Sequence, residues 1–269
     1  MGNIQITTII DNHSPHSPLY GEHGLSVLLE VNNKKILMDV GQSQLFAKNA
    51  KNLGIKLAEI TDLVISHGHY DHTSGLTSFF DKNNSAKIYL HPDALKNKLN
   101  INKYIGIPTH LKPLLQQRAT MVKTNTEISQ GVHLITNAKI YNQELTNFHN
   151  MFVDESEKTI VDTFQDELFI AIIKNGHVNI ITGCAHRGVT NIMQTAKDLF
   201  DLPINMVFGG LHLRSSGETR RQNIISKMEE IGLNKIVTNH CTGLLAFHEI
   251  KTKFQEKSFY GYIGESFSI

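Results

Sequence analysis

Cys184 and Cys241 are the only cysteines in 269 residues. That is too few for a disulfide framework, so the fold must rest on its core, and a reducing compartment suits it. Excess charge is also missing. The 26 Lys and Arg against 25 Asp and Glu leave a formal net charge of +1, which excludes a global field drawing the chain to nucleic acid or anionic lipid. No apolar run approaches the ~18 residues needed to cross a bilayer. The opening Met1-Gly2-Asn3-Ile4-Gln5-Ile6 carries no basic segment followed by an apolar stretch, and no Ser or Thr at position 6 for myristoylation. The expectation is a cytoplasmic protein with no membrane and no nucleic-acid partner. There is no low-complexity tract, and 40% apolar with 19% charged residues predicts one globular domain over 1–269. Nothing in the pattern sets an oligomeric state.

Histidine, by contrast, is plentiful. There are 15, several of them at the ends of apolar runs, where strands would deliver them to one rim. The runs Ile4 to Ile10, Ser26 to Val31 and Lys35 to Val40 read as a strand meander with Asn32-Asn33 as its hairpin turn. Ser43 to Asn52 has helical spacing and stops at Gly54. Asp62 to Ser66 is a short apolar strand, Thr73 is placed to cap a helix running to Phe80, and Lys87 to Leu90 is the next strand, as in a parallel crossover. Between Asn97 and Asp162 the pattern loosens around Gly106, Pro108 and Pro113, although Ala119 to Val122 and Val132 to Thr136 still look extended, and this stretch is expected to be an elaboration that shapes the substrate pocket. A second meander follows, Leu168 to Ile173 and Val178 to Thr182 about the turn Asn175-Gly176. Two αβ units come next, Val189 to Phe200 with Ile204 to Phe208, and Thr219 to Ile231 with Lys235 to Thr238. A helix after Gly243 and a strand Ser258 to Ile263 close the chain. The two halves share a layout, and strands flanked by helices in both predict an α/β fold of four layers, an αββα sandwich.

The chemistry concentrates in Ile65-Ser66-His67-Gly68-His69-Tyr70-Asp71-His72, four ligand-type side chains in six residues directly after an apolar strand. In an extended segment His67 and His69 point the same way and can share one ion. Asp71 and His72 fall at the start of the next helix and can reach a second. A polar loop with incidental histidines would not repeat ligand types at this spacing. Imidazole and carboxylate at this density suit zinc, with iron or manganese as alternatives.

This motif resembles that of the metallo-β-lactamase fold hydrolases, His-x-His-x-Asp-His after a strand. Within them the chain is most similar to the dihydropterin-ribofuranosylaminobenzene 5′-phosphate synthase-like branch. The marks are His91-Pro92-Asp93-Ala94-Leu95, Thr182-Gly183-Cys184-Ala185-His186-Arg187-Gly188, Gly209-Gly210-Leu211-His212-Leu213 and His240-Cys241-Thr242-Gly243. The resemblance implies two divalent metal ions, with Asp39 supporting the metal loop from behind and His240 completing the second metal. A Gly-His-Thr/Ser-Pro motif is expected upstream of the second hairpin, but Asp162-Thr163-Phe164-Gln165-Asp166 stands there. His186 is therefore taken as third ligand of the first metal. Cys184 occupies the place of a bridging aspartate and is either a ligand or a small buried turn residue. His212 is a candidate ligand or proton donor, with Tyr70 as another donor, and Cys241 reads as packing.

His91, His110, His149, His177 and His248 read as ordinary polar residues. Arg187 and Arg214 suit an anionic substrate, whereas Arg220 and Arg221 read as a solvated helix start. The implied function is a metal-dependent hydrolase of a small ester, lactone or phosphate-bearing molecule, with Asp71 orienting the attacking water. A pterin-related condensation is the alternative within enzymes, and a non-catalytic metal-binding sensor the alternative outside them. A β-lactam substrate is not expected without a secretion signal.

Overall fold

The computed structural model describes residues 2–156 and 158–269; Met1, where the leader reading begins, lies outside them. The chain forms two compact units. The first comprises 1–123, 149–166 and 262–269, and the second 124–148 and 167–261. Each has its own core. Phe46, Leu63, Ile65, Phe79, Ile88 and Leu115 are among the buried residues of the first, and Phe169, Ile180, Ile192, Val207, Met228 and Ile236 among those of the second.

In the first unit a seven-stranded sheet is built from the meander Gln5–Ile10, Ser26–Val31 and Lys34–Met38, continued by the parallel strands Asp62–Val64, Lys87–Leu90 and Ala119–Met121. The strand Ser266–Ser268 pairs antiparallel with Gln5–Ile10 at the other edge. Asn32 and Asn33 take φ of 50° and 62°, the left-handed pair that a two-residue hairpin requires and that asparagine tolerates. The second unit repeats the scheme. Thr126–Ser129, Val132–Thr136, Leu168–Lys174 and His177–Thr182 are antiparallel in succession, and Ile204–Gly209, Lys235–Thr238 and Ser258–Tyr260 continue in parallel. Three antiparallel pairings followed by three parallel ones thus run across both sheets, in keeping with the shared layout of the halves, but the antiparallel edge strand follows the others in sequence in the first sheet, Ser266–Ser268, and precedes them in the second, Thr126–Ser129.

Helix Val189–Phe200 forms over the expected residues, and Glu218–Ile231 and Leu244–Phe254 within one residue of expectation. The stretch 97–162 supplies Ala119–Met121 to the first sheet and Thr126–Ser129 and Val132–Thr136 to the second, the two expected extended runs among them, while Lys98–Asn100, Lys103–Tyr104, Met151–Glu155 and Lys158–Val161 make a separate four-stranded sheet in the first unit. Two expectations are corrected. Thr73 does not cap a helix to Phe80. It ends the short helix Tyr70–Thr73, its hydroxyl donating to His69 O at 2.8 Å, and a second helix, Leu76–Phe80, starts after Gly75. Gly75 is required there, since a Cβ on it would stand 2.0 Å from Val40 O. Lastly, the third strand stops at Met38 because Asp39 turns to a φ of 61°.

Among the described residues no helix is long and apolar enough to cross a membrane. The loop between the first two strands is tied to the helix Leu45–Asn52 by the buried Asn49, whose amide donates to Ile9 O and Tyr20 O and accepts from Tyr20 N, all within 2.9 Å. Replacing Asn49 with Ala strands these backbone groups. The expected cost is about 3 kcal/mol, measurable as a lower urea midpoint with an unchanged slope.

Candidate metal centre

Asp39 is the anchor of the first unit's site. Fully buried, its carboxylate accepts the Ser66 N–H at 2.8 Å and the Ser66 hydroxyl at 2.6 Å. It also faces His72 Nδ1 at 2.7 Å. A carboxylate in the interior holds that ring with Nδ1 protonated, which leaves Nε2 as the nitrogen that could serve as a donor to a cation. The Ser66 hydroxyl also meets His67 Nδ1 at 2.9 Å, so one serine links Asp39 to two of the motif histidines.

The loop itself brings the predicted side chains together. His67 and His69 have ring centroids 4.5 Å apart, and His67 and His72 4.3 Å. A ligand nitrogen of His67 lies within 4.8 Å of one on His69 and of one on His72. Asp71 Oδ2 is 3.6 Å from His72 Nε2. Gly68 is obligatory at the bend, because a Cβ there would come 2.2 Å from Ala94 O. Burial holds the imidazoles neutral: it drives His67 well below the ordinary histidine range and His69 down to about 3. Clustered neutral imidazoles beside a carboxylate are the donor set of a hard-to-borderline cation. Three imidazoles packed this closely have no apolar rationale, so the residues present fit the divalent ion that the motif implies.

Sequence reasoning missed the other side of this loop. Asp166 Oδ2 accepts the Gly68 N–H at 2.8 Å, and its Oδ1 is 2.8 Å from the ammonium of Lys98, which also contacts Asp162 Oδ2 at 2.5 Å. Lys98 is 1% exposed. Burial works against its charge, but Asp166 and Asp162 overcome this and raise its pKa. Phe164, between the two carboxylates, stacks edge-on against His69 at 5.4 Å and lies 5.0 Å from the Lys98 ammonium. The segment that lacks the expected histidine is therefore a brace for the histidine-bearing loop. A lysine in Lys96-Asn97-Lys98-Leu99 carries no signal of burial, whereas the paired aspartates about Phe164 were a visible, unread one. His23 was also passed over. Its Nε2 is 3.3 Å from Asp71 Oδ2, and Asn12 Nδ2 approaches its Nδ1 at 3.4 Å.

In the second unit, Cys184, His186, His212, His240 and Cys241 all stand just past the carboxyl ends of parallel or meander strands. Glu167 accepts the N–H groups of His186 and Arg187 at 2.6 and 2.9 Å and so closes the turn that bears Cys184 and His186. Asn147 donates its N–H to His186 O at 2.6 Å. The rings of His186 and His212 are 4.3 Å apart. Arg220 and Arg221 are not a solvated helix start. Arg220 donates to Leu145 O, Thr146 O and Asn147 Oδ1, and Arg221 forms a two-pronged pair with Glu249. Arg187 is buried, its Nε donating to Ala138 O at 2.8 Å, while Arg214 is exposed. His91 accepts from Asp93 N at 3.2 Å, in keeping with its ordinary reading.

Residues 19–129 match the model of the Metallo-beta-lactamase superfamily. The crystal structure of Tm1679, a metal-dependent hydrolase of the beta-lactamase superfamily, is 30% identical, with a TM-score of 0.88 and 99% of each chain covered. The chain belongs to the metallo-β-lactamase superfamily. Its α/β fold is of that type. Two relatives come from Methanocaldococcus jannaschii. Uncharacterized protein MJ0448 is 29% identical over 269 residues, 98% of this chain and 100% of that one. The 7,8-dihydropterin-6-methyl-4-(beta-D-ribofuranosyl)-aminobenzene-5'-phosphate synthase is 27% identical over 274 residues, 94% of this chain and 92% of that one. The second bears out the branch resemblance carried by the four turn motifs of this superfamily chain.

Replacing Lys98 with Met leaves Asp162 and Asp166 buried without their cation, at an expected cost of about 3–5 kcal/mol at neutral pH. In the variant, burial raises the carboxylates' folded-state pKa above the unfolded value. The deficit should therefore shrink as pH falls, and denaturation in urea across the acid range reads this out.

Proposed function

We propose that the chain is a metal-dependent hydrolase of a small, anionic ester, lactone or phosphate-bearing molecule. In this reading His67, His69, Asp71 and His72 are ligands of a two-metal centre, zinc with iron or manganese as alternatives. His186 and His240 are the further ligands that the family resemblance implies. The observation that carries the reading is the buried cluster of neutral imidazoles on a loop held from behind by Asp39 and from the side by Asp166.

A divalent ion there supplies Lewis acidity, which lowers the pKa of water and polarises a carbonyl or phosphoryl oxygen. The chain's own residues do the rest. Asp39 and Ser66 hold His72 and His67 in one tautomer and one orientation, so that little rearrangement is needed when charge develops. Asp71, buried at the start of the short helix Tyr70–Thr73, orients the attacking water, and His23 steadies the Asp71 carboxylate. Asp166 fixes the Gly68 peptide, and Phe164 keeps the His69 ring from turning.

A pterin-related condensation is the second reading, favoured by the synthase that matches 94% of this chain. It would use the same ligands with an anionic, phosphate-bearing substrate. The deciding experiment is turnover by zinc-, iron- and manganese-loaded protein on lactones, thioesters, phosphomonoesters and phosphodiesters, beside a dihydropterin that carries a leaving group on its 6-methyl carbon together with 4-(beta-D-ribofuranosyl)-aminobenzene 5'-phosphate. Hydrolysis of one of the first group, lost in His69→Ala, is expected. Condensation without hydrolysis selects the second reading, and tight metal and ligand binding without any turnover rejects both in favour of a sensor. Asp39→Asn should keep the fold and weaken metal affinity by about 10–100-fold, as measured by competition with a chromophoric chelator.

A further inference from the structure

The second unit holds another group of donors, chemically unlike the first. A sulfur of Cys184, a sulfur of Cys241 and a ring nitrogen of His212 all lie within 4.8 Å of one another. The loops that carry them are zipped together. Leu211 N donates to Thr242 Oγ1 at 3.0 Å, His212 N to Cys241 Sγ at 3.2 Å and Arg214 N to Cys241 O at 3.1 Å. Gly210 makes room for the thiol, since a Cβ on it would stand 2.6 Å from Cys241 Sγ and 2.6 Å from Gly183 O.

Packing alone does not account for this arrangement. Two cysteines as small apolar side chains would satisfy a core, but three non-glycine residues around them are left-handed: Ala185 at φ 54°, His212 at 51° and His240 at 51°. Each such residue costs on the order of 1–3 kcal/mol. In addition, His212 Nδ1 is buried with no hydrogen-bond partner, a further cost of about 1–3 kcal/mol. Strain and an unsatisfied imidazole nitrogen meet at one pair of sulfurs. The backbone N–H donated to Cys241 Sγ is the support that a ligating thiolate takes from its surroundings.

We propose that Cys184, His212 and Cys241 form a Cys2His site for one thiophilic divalent ion of the zinc class. Three protein ligands leave a fourth tetrahedral position open, the pattern of a reactive rather than a purely structural zinc site. The assignment makes His212 a ligand, not a proton donor, and takes Cys241 out of the packing role its sequence context implied. It does not rest on the hydrolase reading.

The test uses the reduced, chelator-stripped full-length chain, titrated with cobalt(II) under anaerobic conditions. A thiolate-to-cobalt charge-transfer band in the near ultraviolet should saturate at about one equivalent. Cys241→Ser should lose most of that band and at least about tenfold in affinity for the ion that gives it, while His69→Ala keeps it. His212→Gln, at a partly exposed residue, leaves both sulfurs in place and should also weaken the affinity at least about tenfold, which holds the test open if the serine variant does not fold. The proposal is overturned by absence of the band in the unaltered chain. It is equally overturned by a band unchanged in Cys241→Ser, which would leave Cys184 acting without its partner, or by recovery of the two thiols as a disulfide with metal uptake unaltered. Because His69→Ala abolishes the proposed turnover without touching these donors, failure of this site and failure of the hydrolase reading give different results.

Discussion

A single buried carboxylate organises the first unit's chemistry. Asp39 sits where the third strand ends, in a left-handed turn, and accepts three donors that all belong to the loop after the next strand. An ionised carboxylate removed from water is tolerable only when its lone pairs are taken up. The three contacts therefore answer a need of Asp39 as much as a need of the loop. The consequence is positional: Ser66, His67 and His72 cannot drift without uncovering a buried charge. The geometry of these donors is held by hydrogen bonds to a buried carboxylate.

A second buried charge group does similar work from the side. Lys98 stands between Asp162 and Asp166, and Asp166 passes the constraint on to the Gly68 peptide. The four-stranded sheet in the first unit carries Lys98 at one strand's start and leads through Lys158–Val161 directly into Asp162. That small sheet aligns a cation on one strand with two carboxylates beyond another, and the metal loop rests on the outcome.

The two seven-stranded sheets share one pattern of pairing, three antiparallel then three parallel, yet their strand ends carry different chemistry. In the first unit the turn after the first parallel crossover bears hard and borderline donors, His67, His69, Asp71 and His72. In the second, the corresponding turn after Ile204–Gly209 bears His212, packed against sulfur. A repeated pairing pattern thus does not repeat a site, because the donor types are set by a few residues at the strand ends, where the backbone is free to take left-handed turns.

Much of this was legible in the linear chain. Strand alternation, the Asn32-Asn33 and Asn175-Gly176 turns and the helices after Gly188, Gly217 and Gly243 are local matters of side-chain period and backbone freedom, and they were read within a residue or two. The clustering of His67, His69 and His72 was legible for the same reason, since four donor types in six residues need no distant partner to be noticed. What stayed hidden depended on partners far apart in sequence. Lys98 is 68 residues from Asp166, and nothing nearby marks it as buried. Arg220 looked solvated because its acceptors are carbonyls more than 70 residues away. Cys241 looked like packing because Cys184 and His212 reach it only through the sheet. The sequence by itself determined which chemistry the chain carries, the imidazoles, carboxylates and thiols at the ends of apolar runs. Tertiary structure alone decided which of them are buried, in which tautomer and against what counter-charge, because burial and electrostatics are set by neighbours in space.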